Sequence, residues 1–328
     1  MFEFISPKQT FLSALLLTLC PPVGFALAQN PQPGTPAQFR AEVEQVVLYS
    51  SVYDKENILV SDLQKEDFLV YEDKVQQEIT YFGRDDVPST VGVVIDSSGS
   101  MRDKFDLVNQ ATRLFLSKNN PENELFFIAF KDEVELEQDF TTDVQDIYDA
   151  LDNLIISGGT ALYDAIYLAV DKAREGSEPK KAVIVFTDGE DKDSFYDHQE
   201  VVDKVEESDV QLYIVAFLDR DLSRSGGFFG IFKSESEKIR EQIRAIPEST
   251  GGEAFFPEEI EQLSEVFQSI AYELRNQYRL AYVSSNPMLD GSWRRTDVIV
   301  LNAKERGLKV RAKKGYFARK VSAPPSQD

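Results

Sequence analysis

Imidazole and thiol chemistry is nearly missing from this chain, whose 328 residues include one histidine, His198, and one cysteine, Cys20. That scarcity excludes a disulfide framework within the chain and leaves few options for an imidazole base or a thiol nucleophile. Neither the Gly-x-Ser-x-Gly elbow of serine hydrolases nor the P-loop lysine motif occurs. Basic residues are the minority, 35 Lys and Arg against 57 Asp and Glu, for a formal charge of -22. Nucleic-acid backbones and anionic membrane surfaces would be repelled by such a chain. Long apolar runs are lacking too, because the run Phe11 to Leu19 is cut off by Pro21 and Pro22 before it could span a bilayer.

That short run suits a different purpose. Lys8 precedes it and Ala26-Leu27-Ala28 follows with small residues where a signal peptidase reads, so residues 1–28 are expected to be an export signal cleaved after Ala28. Cys20 would be lost with it. The exported product, whether periplasmic, held at the cell surface or secreted, then has no disulfide and must draw its stability from the size of its core. Residues 29–38, with three prolines and a glycine, read as a disordered leader.

The remaining chain changes texture twice. Residues 39–88 show short alternating patterns, such as Phe39, Ala41 and Val43, then Phe68 to Tyr71, then Ile79 and Tyr81, which predict the first part of a small β-sandwich. Residues 89–277 alternate apolar strands with amphipathic helices and predict a doubly wound, mostly parallel α/β sheet. Strands return over residues 278–318, with turns at Asp290-Gly291 and Arg306-Gly307, and residues 319–328 form a loose tail. The β segments are too short to stand alone, so the expected architecture is an α/β domain inserted into a β-sandwich assembled from both ends of the chain.

Chemistry gathers at the ends of the buried strands. The run Val91 to Met101, VGVVIDSSGSM, closes in a D-x-S-x-S set of Asp96, Ser98 and Ser100. Ser157-Gly158-Gly159-Thr160 precedes a helix, and the apolar strand Ala182 to Phe186 ends in Thr187-Asp188-Gly189. Three motifs in this order, each at a strand or helix end, resemble the von Willebrand factor A (VWA) domain and its metal-ion-dependent adhesion site. The resemblance covers about Val91 to Gln277, and Asp96, Ser98, Ser100, Thr160 and Asp188 match the family's five coordinating positions. Glu66-Asp67-Phe68 and Gly315-Tyr316-Phe317 further resemble exported bacterial VWA-domain proteins with flanking β-sandwich segments.

The resemblance implies a divalent cation, bound partly through water by Asp96 and Asp188 and completed by an acidic side chain of a protein partner. Hydroxyl and carboxylate oxygens favour Mg²⁺, then Mn²⁺, with Ca²⁺ third because calcium sites carry more carboxylates. Beside the site, Glu190, Asp191 and Asp193 read as a solvated loop, and Asp164 as a charge favouring its helix dipole. Phe228, Phe229, Ile231 and Phe232 in the loop from Asp219 to Lys233 are candidate partner contacts. Rival readings are a cofactor or assembly subunit of another protein complex and a metal-dependent hydrolase. An aspartate-nucleophile phosphatase would need an aspartate where Ser98 stands, so the expected role is binding, not catalysis.

Overall fold

The computed structural model describes residues 45–218 and 235–320. Outside the described residues lie the export signal, the leader, the Phe39 to Val43 alternation, the Phe228, Phe229, Ile231 and Phe232 cluster, and residues 321–328. The first flank holds β1 (Gln45–Tyr53), β2 (Phe68–Glu72), β3 (Val75–Gln77) and β4 (Ile79–Gly83). The central part runs β5 (Ser89–Asp96), α1 (Phe105–Lys118), β6 (Glu124–Phe130), β7 (Val134–Thr141), α2 (Val144–Asp152), α3 (Leu162–Glu175), β8 (Lys180–Thr187), α4 (His198–Glu206) and β9 (Val210–Ala216). It ends with α5 (Glu235–Ala245), β10 (Glu253–Phe255) and α6 (Leu263–Asn276), and the second flank adds β11 (Tyr278–Val283), β12 (Trp293–Val300), α7 (Ala303–Arg306), β13 (Lys309–Ala312) and β14 (Gly315–Phe317).

Six strands form the central sheet in the order β10-β9-β8-β5-β6-β7, parallel throughout except where β7 returns antiparallel along the edge of β6. Every residue of β5 is buried, as expected of a strand covered on both faces. Its side chains divide by period two. Val91, Val93 and Ile95 pack with Phe115 of α1 and Phe267 of α6, whereas Val94 packs with Leu162 and Ile166 of α3 on the opposite face. Gly92 leaves the second face open for the Phe126 ring, which a β-carbon there would strike. The chain leaves β5 toward α1 on one face and β8 toward α4 on the other, so the neighbouring strands β5 and β8 form a topological switch point. Doubly wound sheets open a crevice at such a point, outside the strands' carboxyl ends.

The flanks supply two antiparallel sheets, β13-β1-β11-β4 and β14-β12-β2-β3. Each mixes strands from both ends of the chain, and the two share one core in which Leu48, Val52 and Tyr278 meet Phe68, Val70 and Val300. The hairpin β2–β3 turns through Asp73 and Lys74 with φ of 48° and 69°, the pair of left-handed residues that a type I′ turn requires. Three details depart from the sequence pattern. β1 lies at 45–53, where Ser50 and Ser51 interrupt the apolar signal yet are fully buried. β12 begins at Trp293, five residues before the apolar run at Val298, because Arg294 and Thr296 are buried polar residues. The apolar and charged run 235–249 predicts one helix, but α5 stops at Ala245 and the chain passes through helical backbone at Ile246 into a tighter turn over Pro247–Ser249, where proline lacks the N–H an α-helix would use.

Buried polar side chains join the α/β part to the flanking sheets. Glu273, on the last turns of α6, accepts hydrogen bonds from Ser51 (2.6 Å) and Arg311 (2.7 Å), and Arg311 also binds Tyr53 and Glu253. Gln277, in the single-residue joint between α6 and β11, donates to Ser51 at 3.1 Å. Lys180 at the start of β8 donates to the carbonyl of Leu274 and lies 5.1 Å from the Tyr49 ring. Arg275 holds Asp86 at 2.7 Å and the carbonyl of Lys118 at 3.0 Å. Glu72 and Arg294 form a second buried pair inside the flanking sheets, where Tyr282 and Tyr316 each donate to Glu72 at 2.8 Å. Burial would raise the Glu72 acid, but hydrogen bonds from Ser284, Tyr282, Tyr316 and Arg294 together hold it below the usual range. No helix among the described residues is long and apolar enough to cross a membrane.

Two measurements test this joint. Arg311→Ala leaves Glu273 buried without its cation and should lower the urea unfolding free energy by about 3–5 kcal/mol. Burial lowers the Lys180 ammonium to about 8. Between that value and the ordinary lysine range the unfolded chain binds the extra proton, so stability rises with pH. From pH 7.5 to 10 the folded protein should gain about 2 kcal/mol relative to Lys180→Met, read as the difference between their unfolding free energies.

Candidate metal centre at the carboxyl edge of the sheet

Three loops meet at the switch point, and backbone hydrogen bonds fasten them to one another. Asp96 closes β5, after which Ser98 N–H donates back to Asp96 Oδ1 at 2.9 Å, a local turn that aspartate favours. Ser97 anchors the loop to β6, donating to the carbonyl of Phe130 through both its N–H (2.7 Å) and its hydroxyl (3.0 Å). A short turn over Gly99–Met101 then buries Met101 as a plug. It leaves the Ser98 and Ser100 hydroxyls 3.0 Å apart, Ser98 buried and Ser100 open to solvent.

The second loop is stitched to the first by Ser157 N–H on the carbonyl of Ser97 (2.9 Å) and Gly99 N–H on the carbonyl of Gly158 (3.2 Å). Thr160, buried at its end, is held on both sides of its peptide unit. Its N–H donates to Asp193 Oδ2 at 2.8 Å, and its carbonyl accepts from the N–H groups of Lys192 (2.9 Å) and Asp193 (3.1 Å). Gly159 permits this approach, because a β-carbon there would overlap the Asp193 carboxylate.

The third loop follows β8. Thr187 donates its hydroxyl to Asp96 Oδ2 at 2.9 Å and accepts the N–H of Gly189 at 3.0 Å, so both Asp96 oxygens carry a hydrogen bond. Asp188, next in the chain, is 8% exposed. Burial pushes the Asp96 acid up to about 6 against the hydrogen bonds from Ser98 and Thr187, and the negative charge of Asp188 adds to the rise. Asp96 therefore has a second carboxylate as its charged neighbour. Among the described residues no group of three or more His, Cys, Asp and Glu side chains gathers to hold a metal. The carboxylate of Asp96, with the charge of Asp188 near it, and the paired hydroxyls of Ser98 and Ser100 stand at this edge, and Thr160 is on the adjoining loop.

Several residues that shape the edge escaped the sequence reading. Thr187 and Ser97 orient Asp96 and its loop, and the only signal for Thr187 was its place beside Asp188. The segment Glu190 to Asp193, expected to be solvated, is bound in part. Asp193 fixes Thr160, and Asp191 accepts the N–H of Tyr163 (3.2 Å) and the hydroxyl of Ser194 (2.6 Å). Glu190 pairs with Lys192. Asp164, besides standing in the first turn of α3, accepts the N–H groups of Phe195 and Tyr196, each at 2.9 Å. His198 meets the carbonyl of Gln242 at 2.9 Å.

Comparison with known proteins follows the geometry. Residues 91–269 match the family described as von Willebrand factor type A domain. Among solved structures, a von Willebrand factor type A protein from Catenulispora acidiphila is 13% identical, with a TM-score of 0.46, covering 88% of this chain and 76% of its own. The conserved hypothetical protein BatB from Bacteroides thetaiotaomicron is 16% identical, with a TM-score of 0.45, 57% of this chain and 100% of its own. The SpRpn10 VWA domain is 14% identical, with a TM-score of 0.41, 55% of this chain and 94% of its own. No curated protein sequence shows significant similarity to the chain.

The charge at Asp96 should be measurable as lost stability. In EDTA at pH 7.5, Asp96→Asn should raise the unfolding free energy by about 1–3 kcal/mol, because the amide keeps the shape and removes a buried charge. Chemical denaturation of both proteins checks it.

Proposed function

Because the chain belongs to the von Willebrand factor type A family, we propose that this edge holds a divalent cation through Asp96, Ser98, Ser100, Thr160 and Asp188, and that the protein is an exported binding module. The observation that carries the reading is the pairing of the Ser98 and Ser100 hydroxyls, 3.0 Å apart, above a buried aspartate whose charged neighbour is another carboxylate. Two oxygens at adjacent corners of a magnesium octahedron, each about 2.1 Å from the ion, stand about 3.0 Å from one another. The serine pair meets that spacing. Two carboxylates match a divalent charge, and neutral hydroxyls make up the rest of the set.

Mg²⁺ is the favoured ion and Mn²⁺ its substitute, with Ca²⁺ disfavoured by the small number of carboxylates. When bound, the ion supplies an electrophilic centre for an oxygen ligand from outside, and a carboxylate on a protein partner fits that demand. The chain's own residues place and orient. Thr187 and Ser98 hold Asp96, Asp193 holds Thr160, and the sheet beneath holds all three loops. His198, the one imidazole, is engaged with Gln242, which supports a binding role over an enzymatic one. The residues 1–28 signal supports export to the periplasm, the cell surface or the medium.

Calorimetric titration of EDTA-treated, dialysed protein with MgCl₂, MnCl₂ and CaCl₂ tests the site. One Mg²⁺ per chain is expected. Asp96→Ala and Asp188→Ala should each weaken it by at least about tenfold. Unchanged Mg²⁺ affinity in Asp96→Ala would overturn the assignment.

A further inference from the structure

The strand β1 is paired on both sides over only part of its length. β11 runs beside Gln45 to Ser50, whereas β13 runs beside Ser50 to Tyr53 and stops. After Ala312 the chain turns away to the α/β part, where Lys313 bridges Thr250 and Lys314 N–H donates to the carbonyl of Ser249 at 2.9 Å. The amino-terminal half of β1 therefore has an open edge. The direction of its backbone groups follows from the far end of the strand. Tyr53 pairs with Lys309 of β13 on one side and with Leu59 on the other, and on that other side the Val52 carbonyl accepts Val60 N–H at 2.7 Å. Backbone groups of successive residues alternate between the two sides of a strand, so those of Gln45, Val47 and Tyr49 point to the open edge.

That edge lines a cleft of about 330 Å³ against the α/β part. Gln211, near the start of β9, lines it too and is 5% exposed, and its Oε1 has no hydrogen-bond partner among the described residues. A buried acceptor left unmet costs stability until a donor reaches it. The two faces of the edge differ. Val46 and Leu48 turn inward to the core they share with Tyr316, while Gln45, Val47 and Tyr49 face the α/β part, where the Tyr49 ring meets Lys180. Most charges on that outer side are matched. Asp209 pairs with Lys313, Lys181 has Glu124 and Glu178 as charged neighbours, and Lys180 has Glu273 and Asp86. Glu207 is the remainder. It lines the cleft, is exposed, forms no ion pair among the described residues, and caps the carboxyl end of α4, whose carbonyls add negative potential.

We propose that this open edge is a docking site for an extended segment of a partner protein, which adds to β1 as a strand. The segment's N–H and C=O groups complete the edge of Gln45, Val47 and Tyr49, and one of its donors reaches Gln211 Oε1. Its side chains alternate, apolar ones toward Val46, Leu48 and Tyr316, and at least one lysine or arginine toward Glu207. The site is independent of the proposed metal centre, because it lies beside the start of β9, at the opposite end of the parallel strands from the loops after β5 and β8.

The test measures fluorescence anisotropy of labelled nine-residue peptides with the full chain, in EDTA so that the metal edge contributes nothing. The peptides alternate Val with Lys, alternate Val with Glu, or place the Val and Lys residues in two blocks. Two further versions of the Val-Lys peptide carry N-methyl groups, on the lysines in one and on the valines in the other. The alternating Val-Lys peptide should bind best, and N-methylation should abolish binding in one version and spare it in the other, since only one set of N–H groups faces β1. Val47→Pro removes one N–H of the open edge and no β1–β11 hydrogen bond, so it should weaken binding severalfold with circular dichroism unchanged. Glu207→Lys, a surface change, should reduce the preference for Val-Lys over Val-Glu by at least about tenfold. Equal binding of alternating and blocked peptides, equal binding of the two N-methylated versions, or an unchanged preference in Glu207→Lys would overturn the proposal. So would a chain that binds no peptide, and a self-association that Val47→Pro abolishes would make a second copy the occupant instead.

Discussion

A carboxylate taken out of water needs hydrogen bonds, a counter-charge or a proton, and Asp96 stands fully buried at the end of the central strand with Asp188 as its charged neighbour. The edge of the sheet is organised around that constraint. Ser98 and Thr187 each donate to one of its oxygens, Ser97 pins its loop to β6, and the Gly158 loop closes over the turn that follows. This arrangement opposes stability on its own account, since burial and like charge both penalise the ionised acid. A cost of this kind is common where an edge is kept for function, and the cation proposed above would offset it.

The same logic, with the opposite balance, governs the joint between the α/β part and its flanking sheets. Glu273 is as deeply buried as Asp96, yet Arg311 and Ser51 satisfy it within the fold. Lys180 touches the carbonyl of Leu274 at the carboxyl end of α6, where helix carbonyls favour a cation, although burial outweighs that contact and lowers its ammonium. The closing turns of α6 are consequently tied both to the sheet they cover and to the strands they run into. Hydrophobic contact alone would let the two parts slide, whereas directional bonds of this kind select one arrangement.

Between these two polar centres lies an apolar interior. Val91, Val93 and Ile95 on one side of β5 and Val94 on the other fill the space against α1, α6 and α3, and they hold the edge loops still. Rigidity at the edge suits the proposed cation site, since a fixed set of donors tolerates little misplacement. The braced loop at Phe195 extends that rigidity outward from the site.

Much of this was legible in the chain as written. Apolar runs that end in Asp96 and Asp188, and amphipathic spacing in α1, α3 and α6, determined a doubly wound sheet and the loops from which its chemistry comes, because a period of two or 3.6 is a local property. Polar residues that fold inward were illegible for the same reason. Ser50 and Ser51 concealed β1, and Arg294 and Thr296 concealed half of β12, since a buried polar group looks like a surface group until its partner, often two hundred residues away, is known. Asp164, Asp191 and Asp193 read as helix charge and solvated loop, and only the close approach of α3 to the loop after β8 turned them into supports for Thr160 and Phe195. The sequence by itself determined the buried strands and the polar motifs at their carboxyl ends. The tertiary structure decided which of those polar residues are held, and by what, because those relations depend on contacts between segments that no local pattern encodes.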